Sequence, residues 1–148
     1  MFVAIVMGLS GAGKTLALHM LEDESFFCID NLPSNLLNQL VDGLDQNPEI
    51  DKVAFGLDSR TPGLEHTHAQ AAQLREKGHE VKIVFLTARD GVLIDRYGET
   101  RRTHPLSRRG FVPEAICRER TLMEPYKEMA DYVLDTSDWR PSQLSEAV

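Results

Sequence analysis

The chain has 148 residues, a mass of 16.6 kDa and a formal net charge of −7. This length suits one compact domain, and a composition of 42% apolar and 26% charged residues excludes collagen-like, disordered and disulfide-stapled classes. Apolar runs such as Phe2–Met7 are far shorter than the roughly 20 residues of a membrane-spanning helix. Since the start of the sequence also lacks the features of a secretory signal, we expect a cytoplasmic protein that does not enter a membrane.

Positive charge is concentrated in one region. Residues 96–120 hold seven basic against three acidic side chains, whereas the segments before and after them are acidic. A domain that grips a nucleic-acid backbone unaided is usually basic overall. The charge pattern therefore indicates a site for a small anion and argues against direct RNA binding by these residues. The alternative is that the arginines form only a solvated helix face.

Five apolar runs of strand length alternate with segments of helical spacing. The strands are predicted at Phe2–Met7, Phe26–Ile29, Val53–Leu57, Val81–Thr87 and Tyr132–Asp135. Helical patterns follow the first four, and a longer helix is predicted from Pro113 to Met129, with Pro33 and Gly78 as helix start and stop signals. Because parallel strands need helical crossovers, this order predicts an α/β domain of three layers around a mostly parallel five-stranded sheet.

A glycine-rich loop follows the first strand and matches the phosphate-binding pattern G-x-x-x-x-G-K-[ST] at every fixed position. Its residues are Gly8, Leu9, Ser10, Gly11, Ala12, Gly13, Lys14 and Thr15. Glycines let consecutive backbone N–H groups converge on an anion at a helix N-terminus. We therefore predict that the loop holds nucleotide phosphates, that Lys14 reaches the β- and γ-phosphates, and that the Thr15 hydroxyl ligates Mg²⁺.

Asp58 ends the third strand, at the edge of the sheet where open α/β folds bind their ligands. We predict that it holds Mg²⁺, directly or through water. Arg60 lies two residues further on and is a candidate phosphate contact. Asp30 follows the second strand, and two interpretations stay open: it holds or deprotonates an acceptor hydroxyl, or it caps the next helix together with Asn31.

The basic segment from Arg96 to Gly110 contains five arginines and few apolar anchors. This composition predicts a cationic lid between two helices. Arginines of the lid, Arg101 and Arg102 among them, are candidates to neutralise charge in a phosphoryl-transfer transition state.

Several segments together resemble the RapZ/YvcJ family of bacterial P-loop proteins over nearly the whole chain. They are Gly8–Thr15, Phe27–Pro33, Asp58–Arg60, Arg96–Tyr97, Thr100–Leu106 and Asp135–Ser137. The resemblance implies a kinase-like P-loop domain that binds and slowly hydrolyses ATP and GTP. It also implies ATP contacts at Gly8–Thr15 and a guanine-nucleotide contact at Asp58, Ser59, Arg60 and Thr61.

The same resemblance implies that a C-terminal domain follows in the longer protein and is missing from this chain. In some members of the family that second domain binds small regulatory RNA and amino-sugar metabolites. The sequence ends soon after Pro141 begins a helical pattern, which also suggests a fragment. Homo-oligomer formation remains open.

Three functions are compatible with these observations. The favoured one is a regulatory ATP- or GTP-binding domain with weak Mg²⁺-dependent NTPase activity. The alternatives are a small-metabolite kinase that transfers the γ-phosphate of ATP, and an interaction module in which the nucleotide is structural.

Overall fold

The computed structural model describes residues 1–9, 12–59, 61–93 and 112–137. The strands are β1 (Phe2–Gly8), β2 (Phe27–Asp30), β3 (Lys52–Leu57), β4 (Glu80–Thr87) and β5 (Tyr132–Asp135). The α-helices are α1 (Lys14–Asp23), α2 (Leu37–Asp45), α3 (Thr67–Glu76) and α4 (Val112–Met129), and residues 90–93 are also helical. Short 3-10 turns, Ser34–Leu36 and Leu64–His66, lead into α2 and α3.

The five strands form one sheet in the order β2-β3-β1-β4-β5, and every neighbouring pair is parallel. Strand β1 therefore lies in the centre, between β3 and β4. The carboxyl ends of β1, β2 and β3 meet at one edge of the sheet, so residues that directly follow these strands lie close together. This arrangement confirms the predicted α/β fold with a parallel sheet.

Strand β1 is an uninterrupted apolar run because both of its faces are covered. Its residues from Val3 to Gly8 are buried, and they belong to one core cluster with side chains from β3, β4 and the helices. Burial on both faces requires cover on both sides of the sheet, so the domain has the three layers predicted from the sequence.

The ends of the helices agree in part with the sequence prediction. Gly78 has a φ of 93° just after α3, as a glycine stop signal requires. Pro113 lies in the first turn of α4. Pro33, in contrast, precedes the 3-10 turn, and α2 begins only at Leu37. Within the described part of the chain, none of the helices combines the length and the hydropathy that crossing a bilayer requires.

Candidate functional site

The glycine-rich loop is fixed where it leaves β1. Gly8 lies so close to β4 that a Cβ atom on it would be 2.6 Å from the carbonyl oxygen of Leu86. The same oxygen accepts a hydrogen bond from the N–H of Leu9 at 3.1 Å, and the carbonyl of Leu9 accepts one from the N–H of Ala12 at 3.0 Å. Glycine is needed at the first position because no side chain fits there. The loop therefore begins in a defined direction, next to the carboxyl end of β4.

The loop ends at the start of α1. Gly13 has a φ of 103°, a left-handed conformation that favours glycine, and it precedes Lys14, the first residue of the helix. No side chain of the described residues caps this helix end, and its first turn contains no acidic residue. The first N–H groups of an α-helix have no intrahelical acceptor, and the positive end of the helix dipole favours an anion, so this helix end suits a phosphate. Thr15 is exposed at the same end.

Lys14 lies between two carboxylates. Its Nζ atom donates a hydrogen bond to Oδ1 of Asp30 at 2.9 Å and another to Oδ2 of Asp58 at 3.3 Å. The lysine side chain is 13% exposed, against 37% for Asp30 and 5% for Asp58. The predicted phosphate-binding lysine and the predicted metal-binding acid are thus brought together at the carboxyl edge of the sheet, and Asp30 joins them.

Gly56 makes room for the Asp30 carboxylate. A Cβ atom at this position would be 2.5 Å from Oδ1 of Asp30 and 2.7 Å from a methyl group of Leu18 in α1. Asn31, which follows Asp30, has a φ of 61° and donates its N–H to the carbonyl of Gly56. The interpretation of Asp30 as a helix cap is wrong, because the turn that starts at Ser34 has no side-chain cap.

The segment after β3 forms a tight turn that orients Asp58. The N–H of Asp58 donates to the hydroxyl of Thr61 at 2.9 Å, and the N–H of Thr61 donates to the carbonyl of Asp58 at 3.1 Å. Both residues are buried. This pair of hydrogen bonds closes the turn and fixes the backbone from which the Asp58 carboxylate extends.

One buried residue of this region was missed by sequence analysis. Glu119 in α4 has no exposed surface, and its Oε2 atom accepts a hydrogen bond from the Ser59 hydroxyl at 2.8 Å. The available signal was the helical spacing: Met123 lies four residues after Glu119 and Tyr126 three residues after Met123, which places the three on one face of the helix. An acidic residue in a charged stretch gives no other indication of burial.

The residues that follow β5 are hydrogen-bonded to the glycine-rich loop. Thr136 is buried, and its hydroxyl donates to the carbonyl of Ala12 at 2.8 Å. The N–H of Thr136 donates to the carbonyl of Thr87 in β4, also at 2.8 Å. The Asp135–Ser137 segment is therefore tied to both the loop and the end of β4. Its role as a loop support was not predicted.

The donors at this edge suit a hard divalent cation. Thr15, Asp30 and Asp58 offer only oxygen atoms, the ligands that Mg²⁺ prefers. Among residues 1–9, 12–59, 61–93 and 112–137, no group of three or more His, Cys, Asp or Glu side chains forms a metal cluster. These donors suit Mg²⁺ that keeps several waters and shares a phosphate ligand.

Five predicted site residues lie outside the described residues. They are Ser10, Gly11, Arg60, Arg101 and Arg102. The predicted lid from Arg96 to Gly110 lies there as well, so its role stays a prediction.

The strand order and the glycine-rich loop after β1 define an α/β P-loop protein with a kinase-like fold. Similar solved structures include the shikimate kinase from Bacteroides thetaiotaomicron, with a TM-score of 0.65 and 15% identity, over 99% of this chain and 95% of that one. Another is the YorR protein from Bacillus subtilis in complex with phosphorylated GDP, with a TM-score of 0.63 and 17% identity, over 98% and 92%. At these identities the likeness concerns the fold.

Residues 1–148 match the family described as the RapZ-like N-terminal domain, and the chain belongs to it. A nucleotide-binding protein of Caldanaerobacter subterraneus subsp. tengcongensis is 46% identical over 143 residues, which cover 96% of this chain and 50% of the relative. A nucleotide-binding protein of Clostridioides difficile is 41% identical over 146 residues, with 97% and 51% covered. The chain thus spans about half the length of the curated relatives it matches. The resemblance inferred from the sequence motifs is confirmed.

Proposed function

We propose that this chain is a regulatory domain that binds ATP or GTP and hydrolyses it slowly with Mg²⁺. The observation that carries the proposal is the position of Lys14, whose ammonium group lies between Asp30 and Asp58 at the end of a loop with the phosphate-binding pattern. Relatives named as nucleotide-binding proteins, and a fold neighbour in complex with phosphorylated GDP, support it.

Each residue of the edge has a role in this proposal. The backbone N–H groups at the start of α1 bind phosphate oxygens, and Lys14 moves from its carboxylate partners to the β- and γ-phosphates. Thr15 and Asp58 hold Mg²⁺, which when bound neutralises phosphate charge and orients the γ-phosphate. Ser59 and Thr61 keep the turn that carries Asp58 in place. Arg101 and Arg102 are proposed to stabilise the charge that develops during hydrolysis.

A binding titration tests the proposal. ATP, GTP, ADP and GDP are titrated by calorimetry with and without Mg²⁺, on the wild-type chain and on Lys14→Ala. We expect binding in the micromolar range that Lys14→Ala abolishes, because the variant loses the mobile positive charge. Lys77→Ala is the matched control, since Lys77 contacts Asp42 on the exposed surface. Unchanged affinity in Lys14→Ala contradicts the proposal.

A metabolite kinase is the second candidate, and Asp30 is the observation that favours it. This acid lies 2.9 Å from the lysine and is 37% exposed, so an acceptor hydroxyl has access to it. Solved structures with the same fold include a shikimate kinase and a gluconokinase from Sinorhizobium meliloti. Transfer of labelled phosphate from ATP to a small molecule, lost in Asp30→Asn, would favour this function over the first.

The longer protein has further proposed roles. Because the relatives are about twice as long, we propose that a second domain follows and that the nucleotide state of this domain regulates it. Contacts with RNA are proposed for that second domain, since residues 1–148 carry a net charge of −7.

A further inference from the structure

One face of α4 is buried, and it contacts the residue that follows the candidate metal-binding acid. Glu119 contacts Ser59 at one end of this face, and Met123 is fully buried in the middle. At the other end, burial and then the nearby carboxylate of Glu65 raise the pKa of Tyr126. Glu119 and Tyr126 are about two turns apart on α4, and the Ser59 hydroxyl is hydrogen-bonded to the first of them.

A fully buried carboxylate needs hydrogen-bond or ionic partners, since burying a charge without them is costly. Ser59 is one partner of Glu119, and it directly follows Asp58 in the chain. Within the described part of the chain, the hydroxyl of Thr61 holds the turn that carries Asp58 from inside, and the carboxylate of Glu119 holds it from a different element.

We propose that Glu119 is a positioning residue for the nucleotide site. Its contact with Ser59 holds the Asp58 backbone so that the Asp58 carboxylate faces Lys14 and the Mg²⁺ of a bound nucleotide. The inference rests on the proposed nucleotide binding and adds a role for α4, which neither the phosphate-loop motif nor the turn itself supplies.

The contact predicts a specific defect. When the Ser59 hydroxyl is removed, the turn keeps the hydrogen bonds between Asp58 and Thr61 but loses the hydrogen bond from Ser59 to Glu119 in α4. Asp58 then samples more orientations and binds the cation less well, whereas the loop keeps its phosphate contacts and Lys14, with a looser contact to Asp58, binds phosphate at least as well. The loss should therefore appear in the gain of affinity that Mg²⁺ provides, while binding of ATP without Mg²⁺ should not weaken.

The experiment compares the dissociation constant of ATP with and without Mg²⁺ in the whole 148-residue chain. The variants are Ser59→Ala, Ser59→Thr and Glu119→Gln, and Glu124→Gln, which removes the same charge at an exposed position of α4, is the matched control. We expect Ser59→Ala to lower the Mg²⁺ gain by about tenfold, the range for a lost hydrogen bond to a charged group. Glu119→Gln keeps an oxygen acceptor for Ser59 but loses the charge, so it should lower the Mg²⁺ gain by a smaller factor. Ser59→Thr keeps a hydroxyl and should retain the wild-type gain.

The outcomes separate this inference from the proposed function. If the wild-type chain does not bind ATP or GTP, the proposed function fails and the inference falls with it. If the wild type binds but Ser59→Ala keeps its full Mg²⁺ gain, the inference is overturned and the proposed function stands. A lower melting temperature with an unchanged Mg²⁺ gain assigns a purely structural role to Glu119. If Glu119→Gln does not fold, the two Ser59 variants decide alone.

Discussion

Gly8→Ala is expected to weaken both the fold and the candidate site. The new methyl group would be 2.6 Å from the carbonyl oxygen of Leu86 and 3.0 Å from its Cβ atom. These atoms belong to the centre of the sheet, where Gly8 pairs with Leu86, so a side-chain rotation cannot relieve the clash. The strand end must shift, and the hydrogen bond from Leu9 to the same carbonyl is strained or lost.

The size of the effect follows from three contributions. Overpacking in a core costs about 1–3 kcal/mol and a lost backbone hydrogen bond about 0.5–1.5 kcal/mol, while replacing glycine in a strand returns about 0.5–1 kcal/mol. The net loss is about 2 kcal/mol, which corresponds to a melting temperature lower by roughly 4–8 °C for a domain of this size. The start of the phosphate loop is displaced as well, so nucleotide affinity should fall.

Thermal unfolding followed by circular dichroism measures this change. Gly43→Ala is the control: this glycine lies in α2, and a Cβ atom there meets nothing within 4 Å. The control should raise the melting temperature, because alanine is the better helix former by about 0.5–1 kcal/mol. A melting temperature for Gly8→Ala at or above that of the wild type would refute the steric argument.

Further predictions concern the contacts around the loop. Gly56→Ala should push the Asp30 carboxylate away from Lys14, so it and Asp30→Asn should each raise ATP affinity by at most about fivefold, since a partly exposed ion pair contributes about 0–1 kcal/mol. In a titration the double variant should bind like the single ones, and additive effects would show that the two substitutions act separately. Thr136→Val leaves the buried carbonyl of Ala12 without this donor and should cost about 1–3 kcal/mol in chemical denaturation. Thr136→Ser should stay near the wild type, and equal losses in both variants would contradict the role of the hydroxyl.

Much of the fold could be predicted because its signals are local. Strands β1, β3 and β4 are apolar runs bounded by polar or glycine residues, and their predicted limits agree with the structure to within one residue. The start of α2 was predicted less accurately, because a 3-10 turn and an α-helix have similar apolar spacing over a few residues. The order of the strands in the sheet depends on contacts between distant parts of the chain, so the lengths of the apolar runs do not predict it.

The candidate site could be predicted only where a motif marks it. The loop from Gly8 to Thr15 has a fixed spacing, and Asp58 was found through its place at the end of a strand. The contact of Asp30 with the lysine depends on Gly56, a residue of another strand whose importance appears only when the two strands are paired. Glu119 lies 60 residues from its partner Ser59, and no local pattern connects them.

The contact between Thr136 and Ala12 joins residues 124 positions apart in the chain. A protein leaves the ribosome with its N-terminus first, so the glycine-rich segment emerges early. The hydrogen bond from Thr136 to Ala12 can form only after residue 136 has been synthesised. A nascent chain that stops before position 136 therefore carries the complete loop sequence without this hydrogen bond. Ligand capture during translation is consequently expected late, close to the release of the domain, and not when the motif first becomes accessible.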